Sequence, residues 1–469
     1  MEVLTWFHSF ESPCRRFILT KKSVNFGFFD SISSFEVAVL FLFVSLELES
    51  AVVEETPVEG LIPFCTTSHI RGSVDLLKAS ILFLFDGDGD GGPKLPQDVV
   101  AEILKRLPVE SVLRCRCVCR SWRSAVDDPD FAALHLRHSA LDASNWHTAC
   151  LDWRDPVQNL CSLFSEGSLT LPPRSQIAIP FVTPPDCCLI VGSCDGLICV
   201  AEISGDGFGR TMYLWNLFTR KHRAVRPSGP EPQISFMETP HEALGFGIDA
   251  RSNDYKIVRI LYVLDDNGRC SGGTEPWVEI YSLRADSWRS LACEVPALCQ
   301  DDRAVFLNGN LHWFASKFGD LGEEEGGYGS IVLFDVAGEV FDEMALPPEE
   351  ISHADSVALV MSLAVLNDLL AVFISFINAA VDPELHSVCS VWVMREYGVP
   401  RSWTKLYTFK ACGVVAGFDG FTRNGELLME LDGGERVSWN PITSQFTNLP
   451  LWTEYDLVTI VESLVSLER

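Results

Sequence analysis

Apolar positions change their period along this chain. Between residues 94 and 138 they keep a helical spacing: Val99, Val100, Ile103, Leu104 and Leu107 recur three and four apart. Pro96 fits a first helical turn, where its missing N–H costs nothing, and Pro108 ends the stripe and permits a new start. Val109, Val112 and Leu113 form a second stripe. Val118, Trp122 and Val126 form a third, stopped by Asp127-Asp-Pro129. The pattern predicts three short helices with a very small core, which needs a partner to complete its burial.

From about Leu189 the period shortens to that of β-strands. Turn residues recur between apolar runs: Cys194-Asp-Gly196, Asn253-Asp254, Asn308-Gly309, Asn367-Asp368 and Asn424-Gly425. With Gly196, Asp254, Gly309, Asp368 and Gly425 as anchors, the intervals are 58, 55, 59 and 57. Some twenty residues after each anchor comes a strand with an aromatic residue and a second turn, as in Tyr213–Thr219, Val278–Trp288, Ile331–Phe341 and Arg436–Phe446; a looser copy runs through Val391 and Trp403. Such a period, at about four strands per unit, suits propeller blades and excludes a helical solenoid. Five blades are visible. Strands at Tyr455–Leu467 and at Trp146–Leu151 and Cys161–Leu171 remain, and sharing a sixth blade would remove a free sheet edge. The expected fold class is therefore mainly β with a small all-α module: helices at 94–138, then a propeller-like domain of about six blades at 139–469.

Residues 1–93 fit neither pattern and are expected to be a poorly ordered extension with an acidic linker. The apolar run Val37–Val44 is about half of what a membrane span needs, so no membrane partner is expected. Asp86, Asp88 and Asp90 imitate half a calcium loop, but Gln97 stands where a bidentate carboxylate belongs and Pro93 interrupts it. The formal net charge of -28 divides into -7 over residues 1–93, +2 over 94–138 and -23 over 139–469. An acidic chain is a poor nucleic-acid ligand, and its basic island marks a separate module. The 16 cysteines have no C-x-x-C spacing and no secretory signal before them, and read as reduced, buried thiols.

Residues 95–131 closely resemble the F-box family. The match runs without a gap through Leu95, Pro96, Asp98, Ile103, Leu104, Leu107, Pro108, Leu113, Arg114, Val118, Cys119, Trp122, Pro129 and Phe131. Cys115 departs from it, standing where plant relatives carry a larger apolar residue. The remainder resembles the F-box-associated β domain of plant F-box/kelch-repeat proteins, through Val191–Cys199, Leu244–Asp249, Asp254–Arg259 and Leu307–Trp313. Gly-Gly doublets do not recur in phase, so the kelch label fits loosely. The resemblance implies a substrate receptor of an SCF-type cullin-RING ubiquitin ligase, acting in nucleus and cytoplasm. A Skp-family adaptor, and through it a cullin scaffold, would dock on Leu95, Pro96, Ile103, Leu107, Pro108, Val112, Val118 and Trp122. Trp122 serves equally well as core or as interface. The alternative is a binding scaffold outside the ligase using the same domains; a propeller enzyme ranks third.

No catalytic constellation and no cofactor motif emerges. Gly245-Phe-Gly247 imitates half a dinucleotide fingerprint, but a strand follows where a helix is required, and a turn within a blade is expected. His135 and His138 read as solvated. Two segments are candidate contacts to the unknown protein substrate: the basic patch Arg220, Lys221 and Arg223, and the acidic insertion carrying Glu323, Glu324 and Glu325.

Overall fold

The structure is a computed structural model, and it describes residues 97–468 apart from 119, 153–158, 166–168, 171, 183–186, 204–210, 227–238, 265–275, 297, 299–302, 318–326, 349–355, 379–385 and 453–454. The extension 1–93, its calcium-loop imitation, Leu95, Pro96 and Glu323–Glu325 lie outside the described residues. Four helices come first: α1 (Gln97–Leu104), α2 (Val109–Cys115), α3 (Arg120–Val126) and α4 (Pro129–Leu141). The sequence predicts three. Asp127-Asp-Pro129 does stop α3, but it also starts α4: Asp128 caps it, accepting from Asp130 N at 2.9 Å, and Pro129 occupies the first turn.

Six four-stranded antiparallel sheets follow. Blade one holds β1 (Trp146–Asp152), β2 (Leu160–Ser165) and β3 (Ser175–Ala178). Blade two holds β4 (Cys187–Cys194), β5 (Leu197–Ile203), β6 (Met212–Asn216) and β7 (Lys221–Val225). Blade three holds β8 (Thr239–Asp249), β9 (Asp254–Leu264), β10 (Trp277–Ser282) and β11 (Ser287–Leu291). Blade four holds β12 (Val305–Leu307), β13 (Asn310–Lys317), β14 (Gly327–Asp335) and β15 (Val340–Met344). Blade five holds β16 (Ser356–Leu366), β17 (Leu369–Asn378), β18 (Val388–Met394) and β19 (Trp403–Lys410). Blade six holds β20 (Val415–Phe421), β21 (Leu427–Leu431), β22 (Glu435–Asn440) and β23 (Gln445–Trp452). The last strand, β24 (Tyr455–Val461), returns to blade one and pairs antiparallel with β1, from Trp146↔Val461 to Asp152↔Tyr455. The ring is a six-bladed propeller, closed by a blade made from both ends.

The repeat anchors are legible because each needs a left-handed backbone. Asp195, Asn253, Asn308, Asn367 and Asp368 all have φ between 50 and 61°, which Asn, Asp and Gly tolerate best. The second turn is equally regular in blades two, four and six. Asn216, Asp335 and Asn440 each accept two backbone N–H bonds from residues two and three positions on, at 2.9–3.1 Å. Blade five breaks the series with a longer connection organised by Ser402, whose Oγ donates to Val399 O at 2.7 Å.

Strand alternation ties blades three and four to both of their neighbours. In β9, the Tyr255 hydroxyl donates to Asp195 of blade two at 3.0 Å. The next residue, Lys256, points the other way, to Glu339 and the Val336 carbonyl of blade four at 3.0 and 2.9 Å. In β13, Trp313 Nε1 donates to Leu244 O of blade three at 3.2 Å, while His312 Nε2 meets the Tyr397 hydroxyl of blade five at 2.7 Å. Gly245 and Gly247 form no turn; they lie inside β8. A Cβ on Gly245 would meet Leu311 Cδ1 at 2.7 Å and Trp313 at 2.8 Å, and one on Gly247 would meet the Phe306 ring at 2.4 Å. They are glycines because blade four packs there.

His312 makes stability depend on pH. Its Nδ1 faces the Val305 carbonyl at 2.9 Å, which can only accept, so Nδ1 carries the proton and Nε2 accepts from Tyr397. Burial pushes its pKa down to about 4, against a smaller upward pull from the Val305 carbonyl. The unfolded chain therefore takes up a proton that the folded chain refuses between about 6.5 and 4. The contribution of His312 is complete above about 6.5 and lost as pH falls through that window. Denaturant titrations at pH 7, 5.5 and 4.5 are expected to show this decline, and His312→Gln, though weaker at pH 7, should show a flatter one.

The turns at Asp195-Gly196 and Asn308-Gly309 provide a matched pair. Both glycines have φ of +78°. A Cβ on Gly196 would lie 2.4 Å from both Val461 O and Ser463 Cβ, whereas one on Gly309 would meet nothing within 4 Å. Gly309→Ala is expected to cost about 1 kcal/mol from the left-handed backbone alone. Gly196→Ala should cost about 2–4 kcal/mol, because it also displaces the segment after β24. Equal urea midpoints for the two variants would contradict this.

Candidate docking module

The helices and the ring form one compact unit, Leu95–Arg469. Helix α3 touches each of the other three helices. Trp122, at its centre, is fully buried, together with Leu104, Val109, Val112 and Cys115. Of the residues expected to meet an adaptor, Leu107, Val112 and Trp122 are therefore core: a side chain enclosed by its own helices cannot also be offered to a partner. Ile103, Pro108 and Val118 remain half-exposed, as does Val99, which the sequence reading left off. His135 is buried, not solvated. Its Nε2 donates to Leu107 O at 2.9 Å and its Nδ1 lies 3.3 Å from Ser139 Oγ. Burial lowers its pKa, so this neutral, fully used imidazole is the stable form.

Part of the burial the module needs comes from the ring. Helix α2 begins after Pro108, which has no side chain able to cap it. The cap comes from the segment after β24: Val109 N–H donates to Glu462 Oε2 at 2.9 Å across 353 positions of sequence. The other carboxylate oxygen lies 3.1 Å from His147 Nε2 on β1 and 3.4 Å from Arg174 Nη1 between β2 and β3. Burial alone would raise the pKa of Glu462. His147, the Val109 amide and Arg174 outweigh that and hold it below the usual carboxylate value. At the far end of the module, Arg423 of blade six covers the Trp146 ring at 4.4 Å and donates to Ala140 O at 3.1 Å. Glu462 was invisible to the sequence reading; the one signal was an acid enclosed in the apolar stretch Ile460–Leu464.

Strand direction assigns the two faces of the ring. Ile190 N donates to Asp456 at 2.7 Å and Ser193 Oγ to Thr459 O at 2.8 Å, so β4 and β24 run parallel at the axis. The face where they end carries the helices, the segment after β24 and the tight turns of blades two, three, four and six. The connections β5–β6, β9–β10, β13–β14 and β17–β18 join strand ends at the opposite face.

This divides the two candidate substrate segments. Arg220, Lys221 and Arg223 lie at the β6–β7 turn, on the helix face, beside a shallow groove of about 490 Å³ shared with Leu467 and Glu468. Two are already engaged: Arg223 donates to Leu467 O at 3.1 Å and pairs with Asp286, and Lys221 pairs with Glu468 at 3.0 Å. The basic patch holds the chain's own tail, because the tail crosses blade two at that point. Glu323–Glu325 fall between β13 and β14, whose ends meet at Lys317↔Gly327 on the other face.

Among the described residues no group of His, Cys, Asp or Glu could hold a metal ion, and no helix is long and apolar enough to cross a membrane. Two families match parts of the chain: an F-box domain at residues 93–133, and an F-box associated beta propeller domain at residues 184–432. The chain belongs to the F-box-associated β-propeller family. Among F-box proteins of Arabidopsis thaliana it is similar to CPR1, at 27% identity over 394 residues, 79% of this chain and 88% of that one. It is also similar to an F-box/kelch-repeat protein, at 25% over 322 residues, 66% and 78% of the two chains. Solved structures are more distant: YjhT aligns at 11% identity with a TM-score of 0.33, over 57% of this chain and 84% of that one. The propeller match begins just before β4 and ends between β21 and β22. The blade closed by β24, and Glu462 after it, thus lie outside the propeller match.

Proposed function

We propose that this F-box protein is the substrate-recognition subunit of an SCF-type cullin-RING ubiquitin ligase, working in nucleus and cytoplasm. The helices take a Skp-family adaptor and through it a cullin scaffold. The ring holds a target protein whose lysines are modified by other subunits, so the chain contributes binding and no chemistry. The observation that carries the reading is the two-faced ring: the helices take one face, and the connections β5–β6, β9–β10, β13–β14 and β17–β18 join strands at the other. The target is accordingly assigned to the face away from the adaptor. Fixing the helices to the ring through a buried carboxylate suits a receptor, which must hold a lysine at a set position.

Adaptor capture tests the reading. Ile103→Asp and Val118→Asp each place a charge in the half-exposed apolar surface of the module. Each is expected to weaken binding of a recombinant Skp-family adaptor about 100-fold while leaving the melting of the ring unchanged. Wild-type affinity in both variants would remove the docking role from this face.

A further inference from the structure

We infer that Glu462 is a positioning residue that couples the F-box helices to closure of the ring, so that a change in the helices is felt at the β24–β1 seam. The inference goes beyond docking and concerns how the two ends of the chain communicate. Three elements converge on this one carboxylate. Helix α2 supplies Val109 N–H at 2.9 Å, β1 supplies His147 at 3.1 Å, and the connection after β2 supplies Arg174 at 3.4 Å. The Glu462 and His147 side chains are 5% and 1% exposed, so water offers neither a substitute partner. Helix α2 has no cap of its own, since Pro108 precedes it. If the helices loosen, Glu462 loses a hydrogen bond that it cannot replace. If β24 leaves β1, helix α2 loses the side-chain cap that Glu462 gives it. Two equilibria that share a group in this way are linked, and the linkage acts equally in both directions.

Hydrogen exchange at the β24–β1 amides, Trp146–Thr148 and Thr459–Val461, tests this on the full chain. Trp122→Ala, which loosens the helices, is expected to speed exchange there about tenfold while leaving β13–β14 unchanged. On a Glu462→Ala background the same substitution should add less than about twofold. Val126→Ala provides a milder perturbation where Trp122→Ala does not fold. Glu462→Gln still offers an oxygen to Val109 N–H and is expected to keep the coupling. Equal effects of Trp122→Ala on both backgrounds, no effect in the parent chain, or a Glu462→Gln that behaves like Glu462→Ala would each overturn the inference. A second arm rests on the receptor reading: saturating Skp-family adaptor should protect the same amides in the parent chain and leave them unprotected in Glu462→Ala. A parent chain that binds no adaptor would sink the receptor reading, and the first arm alone would then decide the coupling.

Discussion

Trp122→Ala is expected to lower the stability of the helical module by about 3–5 kcal/mol, enough to unfold it ahead of the ring. The side chain is completely buried and sits on the helix that contacts all three others. Deleting the indole removes a large apolar surface, and four short helices cannot collapse to fill the void. Trp122→Phe keeps most of that surface and should cost about 1–2 kcal/mol. Urea titrations followed by circular dichroism at 222 nm, where helix dominates, would show an early helical transition in the Ala variant. A loss below about 1 kcal/mol would mean that the module is not organised around this residue. Adaptor capture should fall in proportion to unfolding, which separates Trp122 from Ile103 and Val118, where capture falls with the fold intact.

Arg259→Met is expected to cost a further class of stability, about 3–5 kcal/mol in the ring itself. On β9, Arg259 donates through Nε to Glu242 of β8 at 2.5 Å and through Nη1 to Glu279 of β10 at 3.4 Å, and all three side chains are at most 6% exposed. Removing the cation leaves two buried carboxylates close together without the charge of Arg259 between them. Replacing all three residues, with Glu242→Leu and Glu279→Leu added, should recover part of the loss, since these three charges then no longer need to be buried. Urea midpoints of the single and triple variants check this; a single variant within about 1 kcal/mol of the parent would show that the guanidinium carries little.

Much of this architecture could be read from residue patterns, for reasons that differ from element to element. The stripes of α1 to α3 were legible because a helix buries every third or fourth residue. The blade count was legible because Asn, Asp and Gly at Asp195, Asn308 and Asn367 answer to backbone angles that other residues resist. The shared blade followed from strands left over at both ends. Helix α4 was lost because Asp-Pro ends one helix as readily as it starts another. Gly245 and Gly247 read as a turn because nothing in a sequence reveals the Phe306 and Trp313 rings pressing on them from the next blade. The burial of the motif residues was half legible: a motif names Trp122 and Ile103 together, but only packing separates the buried residue from the half-exposed one. The pairing of the basic patch was not legible, since Glu468 lies about 250 positions from Lys221, beyond any local pattern.

Closure by β24 also fixes the order in which this protein becomes competent during its synthesis. The F-box helices are among the first described elements to leave a ribosome, yet the carboxylate that caps α2 follows its partner His147 by 315 positions. Until that residue emerges, β1 presents a bare edge and α2 begins without a cap. A nascent chain halted anywhere in blades two to six therefore carries an F-box sequence but a weakened F-box.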